Sequence, residues 1–266
     1  MAQQYDLGLA LSGGSIKGFA HLGALKYMEE IGCRPEVIAG TSAGALMGAF
    51  YADGYNPSEI YDLFSERGFM DMTSLRPMGG GMFDTSKFVR YISERLRHER
   101  LEDLPTPMRI VATNLDKGEQ HVFTEGPLAQ IITASCSIPV LFNPIELNGA
   151  TFVDGGLFRN FPVSIIREDC RFVVGMNLGP WQEESYKRTI MGVAERSWEF
   201  VFRQNTLPDR DVCDLLLETQ AITKYGMFQV NSAAEIMEIG YELAKSGFEA
   251  HPAFSTLALQ QTEHTP

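Results

Sequence analysis

No stretch of this sequence is apolar for long enough to span a bilayer, and the start MAQQYDLGLAL has neither the basic segment nor the extended apolar core of a secretory leader. Cysteine is scarce. Cys33, Cys136, Cys170 and Cys213 lie far apart without a CxxC pair, which argues against zinc or a disulfide framework and fits buried free thiols in a reducing compartment. Basic charge is short as well: 22 Lys and Arg face 34 Asp and Glu, for a net charge of -12. That balance opposes general attraction to nucleic acid or to an anionic bilayer. A cytoplasmic location is therefore expected. The clearest basic cluster, Arg95, Arg97, His98 and Arg100, is interspersed with Glu94, Glu99 and Glu102 and reads as the solvated side of a helix. Repeats, low-complexity segments and linker-like runs are also missing, so 1–266 is read as one domain, with a core over about 5–180 and a helical C-terminal part over about 181–254.

What is present alternates. Tyr5 to Leu11 reads as a short buried strand, followed by a glycine-bearing turn and helical spacing from Phe19 to Ile31. Val37 to Ala39 is a second strand, leading through Thr41-Ser42 into a helix over Ala43 to Tyr51. Helices are expected over 86–101 and 128–135 and over much of 186–205 and 231–247, with strands at 108–113, 150–153 and 171–176. Strands alternating with helices argue for a layered α/β domain. One segment resists this plan: Gly68 to Phe83, GFMDMTSLRPMGGGMF, has four methionines and three successive glycines. It is either a loop folded onto the core or a lid whose Met70, Met78 and Met82 form an apolar substrate wall.

Ala39 to Leu46, AGTSAGAL, sets Ser42 between Gly40 and Gly44 directly after an apolar strand. A strand entering and a helix leaving make a sharp elbow, the context that gives G-x-S-x-G its meaning for a nucleophilic serine. A serine that only caps the helix start is the competing reading. The turn Gly13-Gly14-Ser15, followed by Lys17 and Gly18, can aim successive amides at an oxyanion or serve packing alone. It has neither Rossmann nor Walker spacing. No histidine has the context of a triad base. Asp154 ends the apolar strand Thr151-Phe152-Val153 and precedes Gly155-Gly156, so it can accept the Ser42 proton, close an Asx turn or ligate a metal.

Taken together, LALSGGSIKGFAHLGAL at 9–25, GTSAG at 40–44, ASCSIPVLFNPI at 134–145 and FVDGGLFRNFPV at 152–163 closely resemble the patatin-like phospholipase family, in its order. The resemblance implies a three-layer α/β/α fold around a mainly parallel sheet. It implies acyl-ester hydrolysis by a Ser-Asp dyad, with Ser42 as nucleophile, Asp154 as its general base and acid, and oxyanion donors at Gly13, Gly14 and Ser15. It places Leu141 and Phe142 on the acyl side, Pro139 and Pro144 on the route inward, and Asn160 and Pro162 in the loop after the aspartate. The expected substrate is a lipid acyl ester, phospholipid or lysophospholipid. Such chemistry needs no nucleotide, redox cofactor or metal, and brief membrane contact is compatible with it. A soluble esterase, thioesterase or acyltransferase, or a weakly active lipid-binding protein, remain the alternatives. Two positions depart from the family loop: Ser15 stands where a third glycine is usual, and Lys17 where arginine is. A left-handed backbone at Ser15 would carry strain.

Overall fold

A computed structural model describes residues 3–65, 74–75, 80–180, 186, 188–226, 229–251 and 254. Among these, the chain runs β1 (Tyr5–Leu11), α1 (Phe19–Glu30), β2 (Val37–Thr41), α2 (Ala43–Ala52), α3 (Pro57–Ser65), β3 (Ser74–Leu75), β4 (Gly81–Asp84) and α4 (Ser86–Ser93). It continues with β5 (Met108–Asn114), β6 (Glu119–Phe123), α5 (Leu128–Cys136), β7 (Val140–Phe142), β8 (Ile145–Leu147) and β9 (Ala150–Asp154). The last elements are β10 (Cys170–Met176), α6 (Ile190–Arg210), β11 (Leu215–Leu217) and α7 (Ala233–Ala250).

The central sheet has the order β11-β10-β1-β2-β5-β9-β8, with β6 added to β5. It is parallel from β11 to β5, and β6, β9 and β8 are antiparallel to their neighbours. Strand periodicity explains how both faces are used. Leu9, Leu11, Ile38, Val174 and Met176 enter the larger core with α1, α2, α5 and α7, while Ala10, Val37, Ala39 and Val173 turn to a smaller core with Phe161, Val163 and Ile166. Burial on both faces is why these strands read as continuous apolar runs rather than alternating ones. The α/β layering expected from the sequence is thus realised, as a mixed sheet.

Two expectations change. The helix predicted over 86–101 ends at Ser93. Beyond it, the fully buried Asp53 carboxylate accepts the Arg97 and His98 amides at 2.6 and 3.1 Å and stands 2.6 Å from His98 Nδ1. The basic cluster is therefore a turn wrapped on a buried acid, not the solvated side of a helix. The helix expected over much of 186–205 is present, from Ile190 through Pro208 to Arg210. Asp209, on its last turn, is buried and paired with Arg159 at 2.6 Å.

Candidate active site

β1, β2 and β10 run parallel and end together, so the turns after Leu11, Thr41 and Met176 share one edge of the sheet. Carboxyl ends of parallel strands are where open α/β sheets bind ligands. Ser42 lies at the β2–α2 junction with φ 52° and ψ −121°, a left-handed backbone that projects its side chain off the sheet. Its hydroxyl makes no helix-capping bond. A Cβ on Gly44 would lie 2.2 Å from the Leu11 carbonyl oxygen, so the close approach of α2 to β1 requires glycine there. The Ser42 N–H donates to Ser135 Oγ at 2.8 Å, and that hydroxyl donates onward to the Val111 carbonyl at 2.6 Å.

The register around β5 brings Asp154 to this elbow. β6 occupies one edge of β5 along Ile110–Asn114. The other edge carries β2 opposite Met108–Val111 and β9 opposite Ala112–Asn114. β2 runs with β5 and β9 against it, so their C-terminal ends face each other, Thr41 opposite Val111 and Asp154 opposite Ala112. Ser42 Oγ then donates to Asp154 Oδ2 at 2.6 Å.

Asp154 is held on every side. Its Oδ1 accepts the Gly156 N–H at 2.7 Å, its N–H donates to the Ser137 carbonyl at 2.9 Å, and its carbonyl accepts from Thr113 Oγ1 at 2.9 Å. One oxygen thus closes an Asx turn while the other meets the serine. A Cβ on Gly155 would lie 2.3 Å from the Val111 carbonyl, so this turn also needs glycine. Ser42 is 8% exposed and Asp154 1%. Burial raises the Asp154 carboxyl to about 7, against the opposing hydrogen bonds from Ser42 and Gly156. The buried Cys136 thiol lies beside the dyad and is pushed well up by desolvation and then by the Asp154 charge.

Three of the histidines are engaged elsewhere. His21 is buried in α1, lowered to about 4 by desolvation, and its Nε2 stands 2.9 Å from the Ser12 carbonyl. His98 meets Asp53, and His121 packs on Phe123 and Phe152.

At the glycine turn, Ser15 adopts φ 50°, the left-handed conformation that a third glycine would take without strain. The Gly13 N–H donates to the Asn160 carbonyl at 3.0 Å, which removes it from the donor set expected from the sequence. Gly14 caps and Ser15 opens a helical turn over Ser15–Gly18, where the first N–H groups lack an acceptor within the turn. Lys17 lines the cavity in front of them.

That cavity, about 620 Å³, is lined by Ser42 together with Ile138, Leu178, Phe202, Arg203 and Tyr225. Leu141 and Phe142, expected on the acyl side, are 3% and 2% exposed and pack with Ile138, Phe83 and Trp198. Of the two, neither reaches the lining; Ile138 does. Met82 is on β4, 37% exposed, while Met70 and Met78 fall outside the described residues.

Sequence reasoning passed over Ser135, which pins the elbow, and Asn205, which pins the loop after the aspartate. Asn205 Nδ2 donates to the Gly156 carbonyl at 2.6 Å and its Oδ1 accepts the Asn160 N–H at 2.7 Å. Ser135 falls inside the motif at 134–145 without any local mark of this role, and Asn205 falls in none of the motifs.

The sequence profile of the patatin-like phospholipases matches residues 9–166. The chain is 33% identical over 218 residues to the uncharacterized protein YqhO of Bacillus subtilis, covering 69% of this chain and 75% of that protein. It is 27% identical over 277 residues to the lysophospholipase NTE1 of Pyricularia oryzae, covering 89% of this chain but 18% of the fungal protein. The chain therefore spans three quarters of the bacterial relative and under a fifth of the fungal one. Among solved structures, VipD from Legionella pneumophila aligns over 94% of this chain and 68% of its own, with a TM-score of 0.59 at 16% identity, a likeness of fold. With the profile covering more than half of its length, the chain belongs to the patatin-like phospholipase family.

Proposed function

We propose that this protein hydrolyses a lipid acyl ester, with a phospholipid or lysophospholipid as substrate, through Ser42 and Asp154. The observation that carries the reading is the 2.6 Å hydrogen bond from Ser42 Oγ to a carboxylate raised to about 7. Asp154 takes the Ser42 proton as Oγ attacks the acyl carbonyl carbon. The oxyanion forms against the amides of Gly14 and Ser15, and collapse expels the alcohol with the proton held by Asp154. Water, deprotonated by Asp154, then cleaves the acyl-serine. A base near pKa 7 is half ionised at neutral pH, where such transfers are most efficient.

The lipid assignment is supported by family membership, by the fungal relative's being named a lysophospholipase and by the partly apolar cavity. Transient contact with a lipid surface fits α6. Ile190, Val193, Phe200 and Val201 are 92, 50, 50 and 42% exposed and lie away from the α6 side that lines the cavity. With a net charge of -12, a zwitterionic surface is the better match than an anionic one.

The test compares wild type, Ser42→Ala and Asp154→Asn on a lysophospholipid, a diacyl phospholipid, a short p-nitrophenyl ester and an acyl-CoA. Wild type is expected to take up one fluorophosphonate per chain at Ser42 and to turn over lysophospholipid. Folded Ser42→Ala with undiminished turnover would overturn the mechanism. Turnover of the soluble ester or the acyl-CoA alone would replace the lipid substrate with those classes.

A further inference from the structure

The Asn160 side chain is 4% exposed and lines the cavity at Ser42, yet its Oδ1 has no hydrogen-bond partner among the described residues. A buried carboxamide oxygen left unpaired is costly, and native structures rarely keep one without a use. The backbone around it is fixed. The Asn160 N–H donates to Asn205 Oδ1 at 2.7 Å, and its carbonyl accepts from Gly13 N at 3.0 Å. The residue therefore holds its side chain in place without satisfying it.

The location is specific. The point where a Gly13 Cβ would stand is 2.3 Å from Asn160 Oδ1 and 3.1 Å from the Ser42 Cβ. The corresponding point on Gly156 is 3.0 Å from the same Oδ1. The carboxamide oxygen thus faces the same open side of Gly13 as the serine does, between the glycine turn and the loop that follows Asp154. Its other end, Nδ2, is directed toward Gly179, 4.0 Å from that residue's Cβ position.

The donors near Ser42 are also incomplete. The Gly13 N–H is committed to Asn160 itself, and the Ser42 N–H to Ser135 Oγ. Gly14 and Ser15 then offer two amides to an oxygen that has lone-pair directions for three. A half-turn of the Asn160 terminal torsion exchanges Oδ1 for Nδ2 and breaks no hydrogen bond at Oδ1.

We infer that the Asn160 carboxamide is a catalytic group, which donates an Nδ2–H to the acyl oxygen as negative charge develops there and so completes the oxyanion hole with Gly14 and Ser15. This rests on Ser42 being the nucleophile, as proposed above. Asn160 forms no covalent bond. It holds the oxygen in place of the donor that its own carbonyl takes from Gly13.

Two readouts need no lipid, so they are separate from the assignment of substrate: hydrolysis of a short p-nitrophenyl ester and the rate of fluorophosphonate labelling at Ser42. Asn160→Ala and the same-shaped Asn160→Asp are expected to lower kcat and the labelling rate by about 10²–10³, as for loss of one oxyanion donor, with KM within about threefold of wild type. A crystal structure of the phosphonylated wild type should place a phosphonyl oxygen within about 3.2 Å of Asn160 Nδ2. Either folded variant with kcat and labelling within about threefold of wild type would overturn the inference. So would an adduct whose oxygen is held by Gly14 and Ser15 alone, a measurement that still decides if both variants fail to fold. Failure of the wild type to label at Ser42 would instead overturn the nucleophile on which the inference rests.

Discussion

Ser42 donates its hydroxyl hydrogen to Asp154 across 2.6 Å because β2 and β9 end against neighbouring residues of β5. The backbone ladder itself sets this distance, through Thr41 opposite Val111 and Asp154 opposite Ala112. A carboxylate placed by the sheet and buried to 1% exposure is oriented without the histidine a triad would interpose.

The pH dependence of catalysis follows from the buried acid. Burial raises Asp154 to about 7, so below that value it is protonated and cannot accept the Ser42 proton. For a neutral soluble ester, kcat/KM should fall tenfold per unit on the acid side and level off above about 7. A pH–rate profile on a p-nitrophenyl ester measures this limb.

The same shift makes Asp154 a burden on stability at neutral pH. Its pKa in the folded state lies above the ordinary 3.8, so the folded chain binds more protons between about 4 and 7. Its contribution is most favourable below about 4 and is lost as pH rises through about 7. Asp154→Asn removes the buried charge, keeps an acceptor for Gly156 and can donate to Ser42 Oγ. It should be more stable than wild type at pH 8 by about 1–4 kcal/mol, a gain that shrinks toward pH 4, while losing activity by at least about 10³. His21, lowered to about 4, has the opposite slope but is common to both proteins, so the difference in urea denaturation isolates Asp154.

Ser135→Ala should loosen the elbow. It leaves the Ser42 N–H and the Val111 carbonyl without the hydroxyl that bridges them at 2.8 and 2.6 Å. A destabilisation of about 1–3 kcal/mol is expected in urea, with slower fluorophosphonate labelling at Ser42 in the folded protein.

Ser15→Gly should relieve strain. At φ 50° a serine Cβ is disfavoured by roughly 1 kcal/mol, and glycine keeps the amide in place. Thermal melts should show a small rise in stability, by at most about 1 kcal/mol, with kcat on a soluble ester preserved.

Local reading succeeded where the chemistry resides in neighbouring residues. Gly40 and Gly44 around Ser42, and Gly155-Gly156 after Asp154, announce turns that only small residues permit, and both turns are present. It failed at Arg97 and His98, because no local signal shows that Asp53, buried and 44 to 45 positions earlier, collects their amides. It missed Ser135 and Asn205 for the same reason, their bonds reaching across 93 and 49 positions.

The sequence by itself determined the layered α/β plan, the elbow at Ser42 and the family, because strand runs, glycine turns and ordered motifs are properties of adjacent residues. Only the tertiary structure decided that β2 and β9 abut along one edge of β5, that the Gly13 amide is spent on Asn160, and that burial raises Asp154 to about 7. Proton affinity and hydrogen-bond partnership depend on what surrounds a group in space, and that exists only once distant segments have packed together.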